Sequence, residues 1–307
     1  MEYGLTRLAI GSKTVVPITK KEYSDLASAK VGLLNALFLE EKFDLVAENF
    51  LELETELLSS TARYMLHGKS NYNWFQFERN LINRRLLNLL SICRGYLDFA
   101  RPFGKNILTE DSNAVAKFDT QFRTYYDTVL GYRVMEAMRN HVQHSGFPIH
   151  VLQYHEKINK QQSRNRIPCE IAIFTKTSYL KEDGMFKASV LAELEKLGGR
   201  VDVKPLFRDY VACLAATHEQ LREIQKSLNE SAEEKFNVLI ARYKSAYSTE
   251  PPLDGLAAVK VDGYVHTDQI MMFPGFIKYR KHLESKNSSF GNFANRYVTG
   301  QVMDPNT

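Results

Sequence analysis

The residues best suited to chemistry in this chain are a group of histidines. Four of the eight, His141, His144, His150 and His155, fall within 15 residues, and the densest piece reads Met138-Arg139-Asn140-His141-Val142-Gln143-His144-Ser145-Gly146. Imidazole takes and gives protons near neutrality. An arginine beside it adds a permanent charge on a planar fork that matches phosphate. One short segment therefore carries a proton-transfer group and a phosphate clamp. Three readings are open for it. Cations near a helix C-terminus complement the macrodipole and need no catalytic duty. His141 and His144, three apart and on one face, could begin a metal site with Glu136, His150 or His155 as the third ligand. The segment could also be an active site acting on a phosphate.

Spacing limits the last reading. Arg139 and His144 are five residues apart, about 140° around an ideal helix, and diverge if the helix is straight. Unwinding at Ser145-Gly146 would bring them together, as would a second copy of the segment facing the first. Two further stretches could contact a polyanion. Asn80, Arg84, Asn88 and Ser91 make a polar stripe at helical spacing, with Asp98 two turns on. Lys157, Lys160, Arg164 and Arg166 place four positive charges in ten residues, which suits either an RNA-contacting arm or a solvated turn. The sequence has no Walker A loop, G-x-G-x-x-G, H-E-x-x-H or G-x-S-x-G, so no cofactor is expected, while the metal reading of His141 and His144 stays open.

The elements that must position these residues are mostly helices. With 307 residues, 44% hydrophobic and 25% charged, and a net charge of +4, the composition is that of a globular chain. Cys93, Cys169 and Cys213 are scattered and form no C-x-x-C pair, which suits reduced thiols and a cytoplasmic location. The N-terminus does not read as a signal peptide, and the most apolar window, Val31 to Leu39, falls well short of the ~20 residues of a membrane span. Residues 1–20 read as a β-hairpin around Gly11-Ser12. Apolar stripes at i, i+3/i+4, such as Ile82, Leu86, Leu89, Cys93 and Leu97, predict a bundle of four or five antiparallel helices over 21–150. Its breaks fall near His67–Asn71, Pro102–Glu110 and Ser145–Pro148. Residues 151–307 read as an α+β extension. It has strands near 149–154 and 167–174, and a helix over 186–197 capped by Gly198-Gly199. A long helix runs from 206 to 247 with a restart at the Ser231-x-x-Glu234 capping box, followed by an Asp262-Gly263 hairpin and a final helix over 276–286. The expected class is mainly α with small antiparallel β elements.

Arg139-Asn140-x-x-x-His144 resembles the R-x(4–6)-H motif of the HEPN superfamily, in the form where a polar residue follows the arginine. The helical bundle with the motif late in it, over residues 21–150, is similar too. Residues 151–307 have no counterpart in that family. The resemblance implies a metal-independent endoribonuclease, in which the histidine promotes attack of the ribose 2′-hydroxyl on the adjacent phosphorus. It assigns His144 as acid/base, Arg139 as stabiliser of the transition-state charge, and Asn140 as the residue that positions phosphate or histidine. Outside the family pattern, His141, Arg84, Asn88 and the Lys157–Arg166 arm are the candidate RNA contacts. A homodimer is implied, with a toxin or antiviral role and room for a regulatory protein partner. The alternative is a non-catalytic RNA-binding or scaffold protein.

Overall fold

A computed structural model describes residues 2–9, 15–67, 71–108, 112–156, 169–182, 184–247, 251–262 and 265–288. Strands β1 (Glu2–Arg7) and β2 (Val16–Pro17) lead into four helices: α1 (Lys20–His67), α2 (Tyr72–Ile107), α3 (Ser112–Thr128) and α4 (Leu130–His144). Then come β3 (Val151–Glu156), β4 (Cys169–Lys176), α5 (Thr177–Glu182), α6 (Ala188–Leu197), β5 (Arg200–Asp202) and α7 (Val203–Ser245). The described chain closes with β6 (Leu256–Asp262), β7 (Val265–Met271) and α8 (Gly275–Lys286). The class is mainly α with small antiparallel sheets. No helix is long and apolar enough to cross a membrane among the described residues.

The chain divides into one unit of Met1–Lys42 with Gln220–Ser288 and another that includes Phe43–Glu219. These boundaries differ from the breaks read at 20 and 150, because α1 and α7 are long continuous helices that contribute to both units. In the first unit the N-terminal strands do not stand alone. The sheet order is β2-β1-β6-β7, with Glu2 opposite Val261 and Leu5 opposite Ala258. Leu5, Leu26, Leu33, Phe236, Tyr243 and Met272 form its core. Gly4 is required where β2 crosses, since a Cβ there would lie 2.3 Å from Val15 Cγ1. Thr19 and Glu22 cap α1 reciprocally, Glu22 N–H donating to Thr19 Oγ1 and Thr19 N–H to Glu22 Oε2.

In the second unit α2, α3 and α4 pack against one another. The helix ends at His67, Ile107 and His144 fall at the expected breaks, and the boundary between α3 and α4 at Val129 is an addition to them. Pro102 does not end α2, which runs on to Ile107 because the turn around it is held by buried Leu97, Ala100 and Gly104. Gly131 lets α4 lie directly on α7, for a Cβ there would meet the Leu206 carbonyl at 2.5 Å. A three-stranded antiparallel sheet, β3-β4-β5, pairs Val151 with Phe174 and Thr175 with Val201. β5 and α5 are additions to the expected elements. α7 is continuous through Ser231, because Ala232, Phe236 and Leu239 carry its buried stripe past that point. The Gly11-Ser12 turn and the Asp262-Gly263 turn lie at least partly outside the described residues.

Candidate functional site

α4 places the motif residues in three different environments. Tyr132, Val134, Met135 and Met138 bury one face of this helix, and His141 continues that stripe. Its ring is only 3% exposed and stands edge-on to Phe186 at 6.0 Å. A Cβ on Gly146 would lie 3.4 Å from its Nε2, so the chain after the helix closes over it. His141 is therefore not a surface RNA contact. Its position seven residues after Val134 and three after Met138 puts it on the core side.

Asn140 and His144 are both exposed, and at a spacing of four they share the outer face of α4. Arg139 is half-buried, and its Nη1 donates to Asn140 Oδ1 at 3.2 Å, so the guanidinium leans toward that face. Its Nε is buried with no hydrogen-bond acceptor, and no carboxylate pairs with it among the described residues. The helix does not unwind to bring Arg139 and His144 together. It stays regular through His144, where Ser145 N–H bonds to the His141 carbonyl at 2.9 Å. The two side chains keep the divergence expected of a straight helix, and Arg139 reaches only as far as Asn140. His141 and His144, one buried and one exposed, do not converge. No group of three His, Cys, Asp or Glu side chains placed to hold a metal occurs among the described residues.

Beside Asn140 is an open depression of about 210 Å³ lined by Tyr126, Glu136, Ala137, Met185 and Lys187. Lys187 Nζ lies 4.4 Å from the centre of the Tyr126 ring and bonds its hydroxyl. A second depression of about 350 Å³ shares Tyr126 and Glu136 and adds Arg101, Arg123 and Tyr132. Glu136 is anchored from the core side by the Tyr210 hydroxyl at 2.6 Å and by Arg94 at 3.2 Å. The exposed face of α4 thus borders an aromatic strip of mixed charge, with Arg101, Arg123 and Lys187 beside the carboxylates of Asp127 and Glu136.

The other expected contacts fall elsewhere. Arg84 and Asn88 are exposed on α2, and no hydrogen bond or ion pair joins them to α4 among the described residues. Lys157, Lys160, Arg164 and Arg166 lie outside the described residues. Asn83, which the polar stripe of α2 does not include, is fully buried. Its side chain donates to the Ile149 carbonyl at 3.0 Å and accepts from the Ile149 N–H at 2.9 Å, pinning the chain just after α4. Its signal in the sequence is an asparagine directly after Ile82, on an otherwise apolar stripe. Pinning Ile149 also sets His150. The His150 Nδ1 accepts from the Lys176 N–H at 3.1 Å, and its ring stands edge-on to Tyr179 at 5.0 Å. Burial, then the positive charges of His141, Arg79 and Lys176, push the His150 pKa down to about 4. Compared with known proteins, the chain matches no family model, no curated protein and no solved structure.

Proposed function

We propose that this chain is a metal-independent endoribonuclease of HEPN type, with its catalytic residues on the outer face of α4. The observation that carries the reading is the pairing of exposed Asn140 and His144 on one helix face, with the Arg139 fork leaning onto Asn140. The motif resemblance supports the same assignment. His144 accepts the proton of a ribose 2′-hydroxyl as that oxygen attacks the adjacent phosphorus. The bond from phosphorus to the 5′-oxygen breaks, that oxygen takes a proton from the imidazolium so formed or from water, and the product ends in a 2′,3′-cyclic phosphate. Arg139 and the Asn140 amide donate to the phosphoryl oxygens, where charge develops in the transition state. The Tyr126–Lys187 strip supports a neighbouring nucleotide through its ring and its cation.

The divergence of Arg139 from His144 supports a two-fold homodimer as the working unit, since each motif could then complete the other. Light scattering should report about twice the 35.3 kDa chain mass. Excess His144→Ala protein should depress wild-type activity as mixed dimers form. The decisive experiment incubates RNA with the protein in EDTA and identifies the product ends. Cyclic phosphate and 5′-hydroxyl ends are the expected result. Tight RNA binding without any cleavage would favour the non-catalytic RNA-binding reading instead.

A further inference from the structure

A second cationic site lies behind the α4–β3 connection, on residues that the cleavage mechanism does not use. Arg79 stands on α2, four residues before the buried Asn83, so both project from one side of that helix. Its Nη1 donates to the His150 carbonyl at 3.4 Å and its Nη2 to Gln76. Its Nε is buried with no acceptor. Lys176 ends β4, with Nζ 4.8 Å from the centre of the Tyr179 ring on α5. Neither cation forms an ion pair with a carboxylate among the described residues. This is unusual here, because most of the half-buried arginines among the described residues, such as Arg63, Arg133, Arg208 and Arg222, are matched by a glutamate.

His150 contacts both residues, its carbonyl accepting from Arg79 and its Nδ1 from the Lys176 backbone N–H. Because Nδ1 is occupied by the Lys176 N–H, the neutral ring carries its proton on Nε2, which leaves Nε2 as a donor. The groups whose charge bears on it are Arg79 from α2, Lys176 from β4 and His141 from α4, with Tyr179 of α5 against its ring. All three charged neighbours are cationic or become so on protonation. Such a set gains from an anion, which would supply the missing acceptor for Arg79 and offset the crowded charge.

We propose that Arg79, Lys176 and the Nε2–H of His150 form a binding site for a phosphate-class dianion, free or as the phosphomonoester end of a small molecule. The site is independent of the cleavage reading. It prefers a dianion to a diester, because two permanent charges without carboxylate partners flank His150 and His150 gains a proton as the anion enters. Affinity therefore rises as pH falls from neutrality toward the titration range of the bound form.

Calorimetry with inorganic phosphate, sulfate, ribose 5-phosphate and dimethyl phosphate tests this. Sulfate keeps its charge across the pH range, which separates protein titration from ligand titration. The wild type should bind phosphate and sulfate at millimolar concentration or better, and dimethyl phosphate more weakly. Comparable binding of phosphate and ribose 5-phosphate would identify inorganic phosphate as sufficient; tighter binding of the sugar phosphate would identify a small phosphomonoester as the ligand. Saturating sulfate should raise the titration midpoint of the His150 proton resonance by about 1–3 pH units. Arg79→Gln with Lys176→Gln should weaken sulfate at least ~10-fold, about the factor expected for removing one or two charge-assisted hydrogen bonds. Lys176→Gln alone keeps the fold safe, since its Nζ contacts only a ring, and should still weaken binding. His144→Ala should bind sulfate as the wild type does, even though it is expected to abolish cleavage. Absence of sulfate and phosphate binding by the folded wild type would overturn the proposal, as would wild-type affinity in both Lys176→Gln and the double variant.

Discussion

His144 and His150 are six residues apart and occupy opposite surroundings. His144 stands in solvent at the end of α4, and no side chain holds its ring among the described residues. His150 is half-buried, its Nδ1 is committed to a backbone N–H, and its neighbours hold it neutral to about pH 4. A proton shuttle needs access and freedom to change charge. A recognition donor needs one tautomer and one orientation. The two histidines divide these requirements, which is why we propose the chemistry on the open face of α4 and the anion recognition at His150.

The largest expected effect would break this comparison most directly. His144→Ala should lower RNA cleavage by roughly 10²–10⁴-fold, the usual weight of a general acid–base group. Its circular dichroism and melting temperature should match the wild type, because the side chain is exposed. His150→Gln should retain most cleavage. If the two variants exchanged these outcomes, His150 would be the catalytic residue and the assignment of roles would invert.

Next in size is the support that His150 depends on. Asn83→Ala should destabilise the protein by about 2–4 kcal/mol in urea denaturation, because it strands the N–H and the carbonyl of buried Ile149 without partners. A change below ~1 kcal/mol would mean that the connection after α4 repairs itself with other bonds.

The pH dependence sharpens the contrast further. The folded His150 pKa lies near 4, below its ordinary value of 6.5. The unfolded chain therefore binds this proton more readily, so His150 lowers stability progressively as pH falls from about 6.5 to about 4. Melting temperature should fall more steeply across that window for the wild type than for His150→Gln. Equal slopes would show that His150 is reached by solvent in the native state. The smallest effect concerns the basic arm. Replacing Lys157, Lys160, Arg164 and Arg166 with Gln should lower the slope of log K against log salt for RNA by roughly 0.7 for each phosphate that the arm neutralises. An unchanged slope would confine RNA binding to the α4 face and the strip beside it.

Most helices are readable from local signals. The ends of α1 and α4 sit at Gly, Ser and Asn clusters, and the end of α6 sits at Gly198, whose positive φ of 130° needs no side chain there. Apolar periodicity marks α7 and α8. What escapes local reading is short or distant. β5 has three residues and α5 has six, too few to show a period. β1 pairs with β6 across most of the chain, so the expected terminal hairpin belongs to a four-stranded sheet. Arg79 and Lys176 lie on elements far apart in sequence and share no local pattern at all.

By itself, the sequence determined which long segments are helical and that an arginine, an asparagine and two histidines crowd one helix end. That follows from local spacing, caps and breakers. The tertiary structure decided what each of them faces. Packing of the Val134–Met138 stripe draws His141 into the core and leaves His144 outside, and a buried Asn83 sets His150 against Arg79 and Lys176 of other elements. Burial and charge environment are properties of contacts between distant segments, and no spacing within one segment encodes them.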